Sequence, residues 1–411
     1  MIKVGSDFSG VGAFNQALTR LGIPYKEVFA CDMDKYARQT FIHNYGEPDY
    51  YPENVYGRDI PKEPIDIYMT SPPCQAFSLA GKRKGEDDKR GILFYNSHEF
   101  IKENKPRYFI FENVKGLLSD DKGNTFAKWV QYLGGKSVNG NPTLFPHEES
   151  LPYHIYWKVL NAKDYNIPQN RERVFIIGIR DDEDNNFIWP KEMFLEKRLK
   201  DVLESDVDEK YYLSEKMLEL LTYGKVGSTE IANINKGGQK GSVASEDGSH
   251  IGCLSATDYK LQKLVQVKYA TKKGYEVASI GEDSINFEHP DSKTRRGRVG
   301  VGVGQTLTTS CNQGVATVDV VANLPGKHEQ NSRVYGTNGL SPTLTTMQGG
   351  GQEPKITTGF RIRKLTPREC FRLMDFPDTF SWPVSDTQAY KQAGNSICVG
   401  VLAEIISKLK L

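Results

Sequence analysis

The stretch "SPPCQAFS" (residues 71–78) holds one cysteine, Cys74, behind two consecutive prolines and directly after the apolar run "IDIYM". Pro72 and Pro73 fix φ and disfavour helix in the residues before them, so the thiol is expected in a stiff turn just past a strand. That restraint suits a sulfur that must attack an atom held in place; the plainer alternative is a small buried hydrophobe. Other reactive types close neighbouring apolar runs. Asp32 and Asp34 end "FACDMD", Asp59 sits in "GRDI", Glu112 and Asn113 end "FIFEN", and "QNRERVF" presents Gln169, Arg171 and Arg173. A carboxylate closing the second strand can accept both ribose hydroxyl protons, a role given to Asp32, and Asp59 could take an adenine amino group. Arg171 and Arg173 alternate with Glu172, so a strand sends both guanidiniums to one side. Each residue alone reads as a loop acid or a surface ion pair. Together, a thiol, a carboxyl and two arginines beside a nucleoside-bearing cofactor are more specific.

The elements that must position these groups alternate along residues 1–115: "IKVGSDF", a helix through Phe14, Ala17, Leu18 and Leu21, "EVFACDMD", a helix near 36–44, a third strand closed by "GRDI", "IDIYMTS" as a fourth, a helix near 95–103, and "RYFIFEN" as a fifth. Strand and helix in turn imply an α/β fold with a parallel sheet. "YHIYWKVL" and "RVFIIGI" are expected to pair antiparallel at its edge. Gly10 and Gly12 in "DFSGVGAF" fall between the first strand and first helix, where a missing Cβ lets backbone approach a ligand. Asn15 stands where G-x-G-x-x-G requires its last glycine, which favours a smaller nucleoside cofactor over a dinucleotide.

Composition narrows the field. The 411 residues are 38% hydrophobic and 26% charged, enough for a sizeable core and two or three domains. No apolar run is long enough to cross a bilayer and the first residues lack a secretion-signal core, so a cytoplasmic protein with no membrane partner is expected. The six cysteines are scattered without a C-x-x-C pair, which suggests neither a metal site nor disulfides. A net charge of +1 neither supports nor excludes DNA.

Beyond about residue 200 the texture turns to Gly, Thr, Ser and Asn with short β-like pieces. The expected division is a catalytic, cofactor-binding domain at 1–200, completed by 388–411, and a smaller, mainly β domain at 201–387. Within the latter, "RVGVGVGQTLTTSCNQG" at 298–314 and "RVYGTNGLSPTLTTMQGG" at 333–350 repeat an Arg-Val start and a Thr-Leu-Thr-Thr core. The copies could be a duplicated hairpin, or loops that read a ligand. From Tyr390 the pattern is helical again, with Gly394, Asn395 and Ser396 opening the last helix.

The blocks "DFSGVGAF", "CDMDKYA", "GRDI", "SPPCQAFSLAGKRKG", "FENVKGLL", "NAKDYNIPQNRERVFIIG", "RKLTPRECFRLMDFP" and "YKQAGNSICVGVL" stand in the order they have in the cytosine-C5 DNA methyltransferases, which this chain resembles over nearly its whole length. The resemblance implies a Rossmann-like S-adenosylmethionine-dependent methyltransferase sheet, with the second region as the target-recognition domain and duplex DNA held between the two. It makes Cys74 the thiolate that adds to carbon 6 of a cytosine, so that carbon 5 can accept a methyl group. Glu112 would hold or protonate ring N3 and contact the exocyclic amine, Arg173 would bind the base O2, and Arg171 would be a further catalytic residue. The cofactor would lie against Phe8, Gly10, Gly12, Asp32, Met33, Asp59, Ile60 and Pro73, with Asn395 or Ser396 near its methionine carboxylate.

A base stacked in a duplex cannot reach a thiol, so the cytosine must rotate out. The resemblance makes residues 75–90 a mobile loop closing over it, with Gln75, Ser78, Lys82 and Arg90 on DNA. Arg333 is the expected base reader, because a guanidinium can bond guanine O6 and N7 together. Gln330 would fill the gap left by the base, and Thr343, Gly349 and Gly350 would line the recognition loop. Two features depart from the family's simplest members: the insertion "GGKSVNGNPTLFPHEESLP" at 134–152 and the extra copy at 298–314. A monomer is expected, acting in restriction-modification or phage self-protection, with a cognate restriction endonuclease as a candidate partner. The rivals are a tRNA cytosine methyltransferase, a catalytically silent DNA-binding protein and a Rossmann dehydrogenase.

Overall fold

Four of the expected apolar runs form strands β1 (Ile2–Asp7), β2 (Tyr25–Cys31), β3 (Ile67–Thr70) and β4 (Tyr108–Val114), paired in parallel in the order β2-β1-β3-β4. The computed structural model describes residues 1–72, 93–212, 264–268, 275–279, 283–286, 298–306, 313–317, 320–323, 333–339, 355–358 and 361–411. Helices α1 (Ala13–Arg20), α2 (Lys35–Tyr45), α3 (Leu93–Asn104) and α4 (Asn124–Leu133) alternate with the strands. The apolar spacing read for the first helix puts Phe14, Ala17 and Leu18 in the core. Strand β4, paired on both edges, is buried along nearly all its length, as a central strand covered on both faces must be.

Beyond β4 the sheet turns antiparallel: β8 (Glu172–Arg180) pairs with β4 and β7 (Tyr153–Asn161) pairs with β8, the edge hairpin expected from the sequence. The insertion at 134–152 supplies β5 (Ser137–Val138) and β6 (Asn141–Pro142), which extend the same sheet to eight strands, with β5 parallel to β7. The core beneath is aromatic: Phe94 stacks on Trp129 and Tyr68 on Phe100, each pair at 4.2 Å between centroids. This is the α/β, Rossmann-like sheet that was expected.

Three expectations fail. No strand ends at "GRDI": residues 46–66 are turns and irregular chain until β3 begins. Pro48, Pro52, Pro61 and Pro64 fall within this stretch, and each lacks the N–H a sheet ladder needs. The last helix does not open at Gly394. Helices α5 (Pro367–Leu373), α6 (Asp386–Asn395) and α7 (Val399–Ile406) follow one another, so Asn395 ends α6 and Ser396 caps its C-terminus. Third, the chain forms two compact units, Met1–Leu195 with Phe371–Leu411, and Glu196–Cys370, so residues 371–387 join the first unit rather than the second. Their rings explain why: Phe371, Phe376, Phe380 and Trp382 pack on one another, while Asn44 and His43 of α2 bond Ser381. Helix α7, buried on most of its surface, packs against α1.

In the second unit the described strands are short and form three small sheets: β9 (Leu264–Lys268) with β10 (Tyr275–Ser279); β11 (Ser284–Asn286), β12 (Val299–Gly300), β13 (Gln313–Thr317) and β17 (Arg361–Lys364); and β14 (Val320–Asn323), β15 (Arg333–Gly339) and β16 (Lys355–Thr358). The described part of the Gly- and Thr-rich region is thus mainly β structure. Arg363 and Glu369 form a buried two-pronged ion pair (2.7 and 2.8 Å), and Glu369 also accepts the backbone N–H groups of Glu204 and Thr366. A carboxylate satisfied this fully can be buried without an orphaned charge. Among the described residues no helix is long and apolar enough to cross a membrane.

Candidate active site

The chain runs from β1 to β2 on one side and returns to β3 on the other, so the order of the parallel strands reverses between β1 and β3. In open α/β sheets, ligands bind outside the carboxyl ends of the strands at such a point. There β1 gives way to Phe8, which takes a left-handed φ of 57°, and to Gly10 and Gly12, with φ of 55° and 84°. A Cβ on Gly12 would lie 2.3 Å from the Tyr45 ring; among the described residues one on Gly10 would meet nothing within 4 Å. Gly12 is therefore required by packing, whereas Gly10 leaves open space at the rim.

Asp32, just past β2, ties this loop down. Its carboxylate accepts Gly10 N–H and Asp34 N–H, both at 2.8 Å, and burial raises its pKa. Each oxygen retains a further lone pair. Asp34, the other acid weighed for the ribose, is committed elsewhere: it caps α2 by accepting from Tyr36 and Ala37 and pairs with Lys391 at 2.6 Å. Met33 between them is 83% exposed, an apolar surface beside a carboxylate. Phe8 packs on Cys31, Val55 and Leu93. Asp59 is exposed, its N–H bonded to the Tyr50 hydroxyl at 3.0 Å, and Ile60 is partly buried against the aromatic core.

On the other side of the switch point, β3 ends at Thr70, whose hydroxyl bonds Ser97 at 2.8 Å, and the chain leaves through Ser71, bonded to the Phe8 carbonyl. Next along the sheet, β4 carries Glu112, and then β8 carries Arg173, its second residue. The register places Arg173 opposite Val114, so Glu112 and Arg173 are diagonal neighbours on one face, and Nε lies 3.0 Å from Oε1. Glu112 is only 7% exposed; burial raises its pKa, while the Arg173 and Arg171 charges pull the other way.

Arg171 is buried. Its Nη2 donates to the carbonyls of Gly394 and Ser396, at 3.0 and 2.7 Å, so this buried guanidinium clamps the end of α6 and reaches Glu112 through its charge. Gln169 does similar work, donating to the Leu373 carbonyl at 2.7 Å. Asn395 is exposed and Ser396 buried. Pro73, Cys74, Gln75, Ser78, Lys82 and Arg90 lie outside the described residues, as do Gln330, Thr343, Gly349 and Gly350; Arg333 opens β15 opposite Asn323.

One profile of a known family, C-5 cytosine-specific DNA methylase, matches residues 2–411. The chain belongs to that family. The methylase is 33% identical to the orphan methyltransferase M.SPRI of Bacillus phage SPR, over 99% of this chain and 97% of that one. It is 32% identical to the type II methyltransferase M.SsoII of Shigella sonnei, over 98% of this chain and 78% of that protein. Among solved structures it shares the fold of the S. pombe Dnmt2 methyltransferase (18% identity, TM-score 0.53, covering 99% and 97% of the two chains) and of a Spodoptera frugiperda DNMT2 mutant (18%, 0.55, 99% of each). This protein is a DNA cytosine-5 methyltransferase.

Two carboxylates of the methylase escaped the sequence reading. One is Asp7, paired with Arg58. The other is Glu27 on β2, which accepts from Asn15 of α1 at 2.5 Å and whose pKa burial raises to about 8. The only sequence signal for Glu27 is a charge in mid-strand. Because the folded state holds this proton more tightly than the unfolded chain, the contribution to stability is full below the ordinary value of 4.5 and is lost as pH rises toward 8. Glu27→Gln removes that dependence. Thermal melts should show the variant gaining on wild type on the order of a few kcal/mol near pH 8 and nothing near pH 4.5; parallel melting curves across that range would contradict this account of Glu27.

Proposed function

We propose that the protein is a sequence-specific, S-adenosylmethionine-dependent enzyme that methylates carbon 5 of a cytosine rotated out of duplex DNA. The observation that carries this reading is the lateral order of the strand ends. The Asp32 carboxylate, the Gly10 loop, the exit toward Cys74, Glu112 and Arg173 follow one another across β2, β1, β3, β4 and β8. A cofactor seated at the first two would lie beside a base held at the last two, with the thiol entering between them.

The residues at the rim fit a sulfonium nucleoside: open space at Gly10, a carboxylate with spare lone pairs at Asp32 and an exposed thioether at Met33. Bound there, S-adenosylmethionine supplies an electrophilic methyl group. Phe8, Gly12, Asp59, Ile60 and Pro73 complete its seat, with Asn395 or Ser396 toward its carboxylate. Carbon 5 of cytosine is too poor a nucleophile to take a methyl group unaided. Addition of the Cys74 thiolate to carbon 6 makes it enamine-like, and Glu112, holding ring N3 and the exocyclic amine, absorbs the charge that develops. Arg173 orients Glu112 and bonds the base O2. Loss of the carbon 5 proton and expulsion of the Cys74 sulfur end the cycle.

Ser78, Gln75, Lys82 and Arg90 would contact the target strand, Gln330 the vacated stack, and Arg333, Thr343, Gly349 and Gly350 the recognised bases. The biological role is modification of DNA by a monomer in the cytoplasm, either against a cognate endonuclease or as phage self-protection. Incubation with tritiated cofactor and either duplex DNA or tRNA, followed by bisulfite sequencing of the labelled DNA, tests this directly. Label in a fixed duplex context is expected. Label in tRNA alone, or at no cytosine, would refute the proposal.

A further inference from the structure

The loop carrying Asp59 and Ile60 has no sheet ladder to hold it, yet its middle is anchored by a charged side chain turned inward. Arg58 points into the molecule with its side chain 3% exposed, while its neighbours Gly57 and Asp59 face solvent. Its Nε donates to Asp7 Oδ1 at 2.9 Å and its Nη2 to Oδ2, a two-pronged pair with a carboxylate whose side chain has no exposure. The Tyr68 hydroxyl donates to the same Oδ2 at 2.6 Å. The guanidinium lies over the Phe100 and Phe29 rings, at 4.8 and 5.8 Å from their centroids.

Asp7 is the last residue of β1, directly before Phe8 and the Gly10 turn, and Tyr68 belongs to β3. The pair therefore joins the loop at 54–60 to the strand end that launches the glycine turn. Its other anchors include the Tyr50 hydroxyl, which accepts the Asp59 N–H, Ile60 against the aromatic core, Val55 in the small cluster with Phe8, and Asn104, whose amide donates to the carbonyls of Pro61 and Glu63. Of these, Arg58 holds the loop by a charged, two-pronged contact. An Arg-carboxylate fork fixes direction as well as distance, which a point charge does not.

We propose that Arg58, through its buried fork on Asp7, is a positioning residue that presets the Asp59–Ile60 edge for the adenine of the cofactor. Without the fork, the loop must be ordered as the ligand binds, and that cost appears as lost affinity. The proposal rests on the reading of Asp59 and Ile60 as adenine contacts. It assigns Arg58 an effect on cofactor affinity, with none on the chemistry or on DNA.

The test is calorimetric titration of S-adenosylhomocysteine into the full-length protein and its Arg58→Lys variant, with steady-state methylation alongside. Lysine keeps the charge opposite Asp7 and loses the fork. The expected result is a Kd weakened about tenfold, with kcat at saturating cofactor and KM for DNA within about twofold of wild type. Should Arg58→Lys fail to fold, the double variant Asp7→Asn/Arg58→Gln, which removes both charges together, is measured in its place. A folded variant with wild-type Kd overturns the proposal, and so does a parallel fall in kcat and in affinity for DNA, which marks a general structural role. Wild type that binds no S-adenosylhomocysteine refutes the underlying cofactor reading instead, and this proposal with it.

Discussion

Cys74→Ser is expected to lower methyl transfer by at least about 10⁴-fold while leaving binding of cofactor and duplex intact. A hydroxyl is far less acidic than a thiol, so serine offers almost no anion at neutral pH, and it adds poorly to carbon 6 of an aromatic ring. The effect is large because every later step depends on that addition. Single-turnover transfer measures it, with gel-shift and cofactor titration as controls. A duplex carrying 5-fluorocytosine at the target adds a second reading: fluorine cannot leave as the carbon 5 proton does, so the wild-type enzyme should remain bonded to the DNA through Cys74. Full activity in the serine variant, or a trapped bond through another residue, would end the assignment.

Glu112→Gln is the second large effect, a fall in kcat of about 10²- to 10⁴-fold. Glu112 is buried beside Arg173 at 3.0 Å, and burial raises its pKa against the pull of Arg173 and Arg171. It therefore keeps a proton to higher pH than an exposed carboxyl, and that proton is what ring N3 requires as the thiolate adds. The sign follows. Wild-type kcat should decline as pH rises through the raised pKa, and glutamine, which cannot ionise, should lack that limb. Wild-type kcat in the variant would remove Glu112 from the chemistry. Glutamine keeps an oxygen that can accept from Arg173, so a melting curve close to wild type is expected and separates lost chemistry from lost fold.

The parallel strands were legible because buried strands need long apolar runs, and the runs ending at Asp7, Cys31, Thr70 and Val114 stand out against polar surroundings. The reading of "GRDI" as a strand failed where a short apolar run lies among prolines, since a local pattern of side chains says nothing about which backbone N–H groups a ladder can use. The end of α6 at Asn395 was misplaced for a related reason. A helix break between two helical segments leaves the periodicity of each intact. Likewise, residues 371–387 read as part of the second region until their aromatic rings and the bonds from α2 to Ser381 showed which unit they serve.

Residue type and order along the chain determined the α/β class, the family and the candidate thiol, carboxylates and arginines, because motifs preserve the chemistry a site needs at strand ends. Tertiary structure alone decided what each charge faces. Arg171 and Arg173 are two residues apart and alike in sequence, yet one is spent on the carbonyls of Gly394 and Ser396 and the other meets Glu112. Arg58 and Asp7 are far apart in the chain and meet only in the fold. An ion pair's partner depends on separations of a few ångströms between distant segments, and those distances exist only once the sheet has formed.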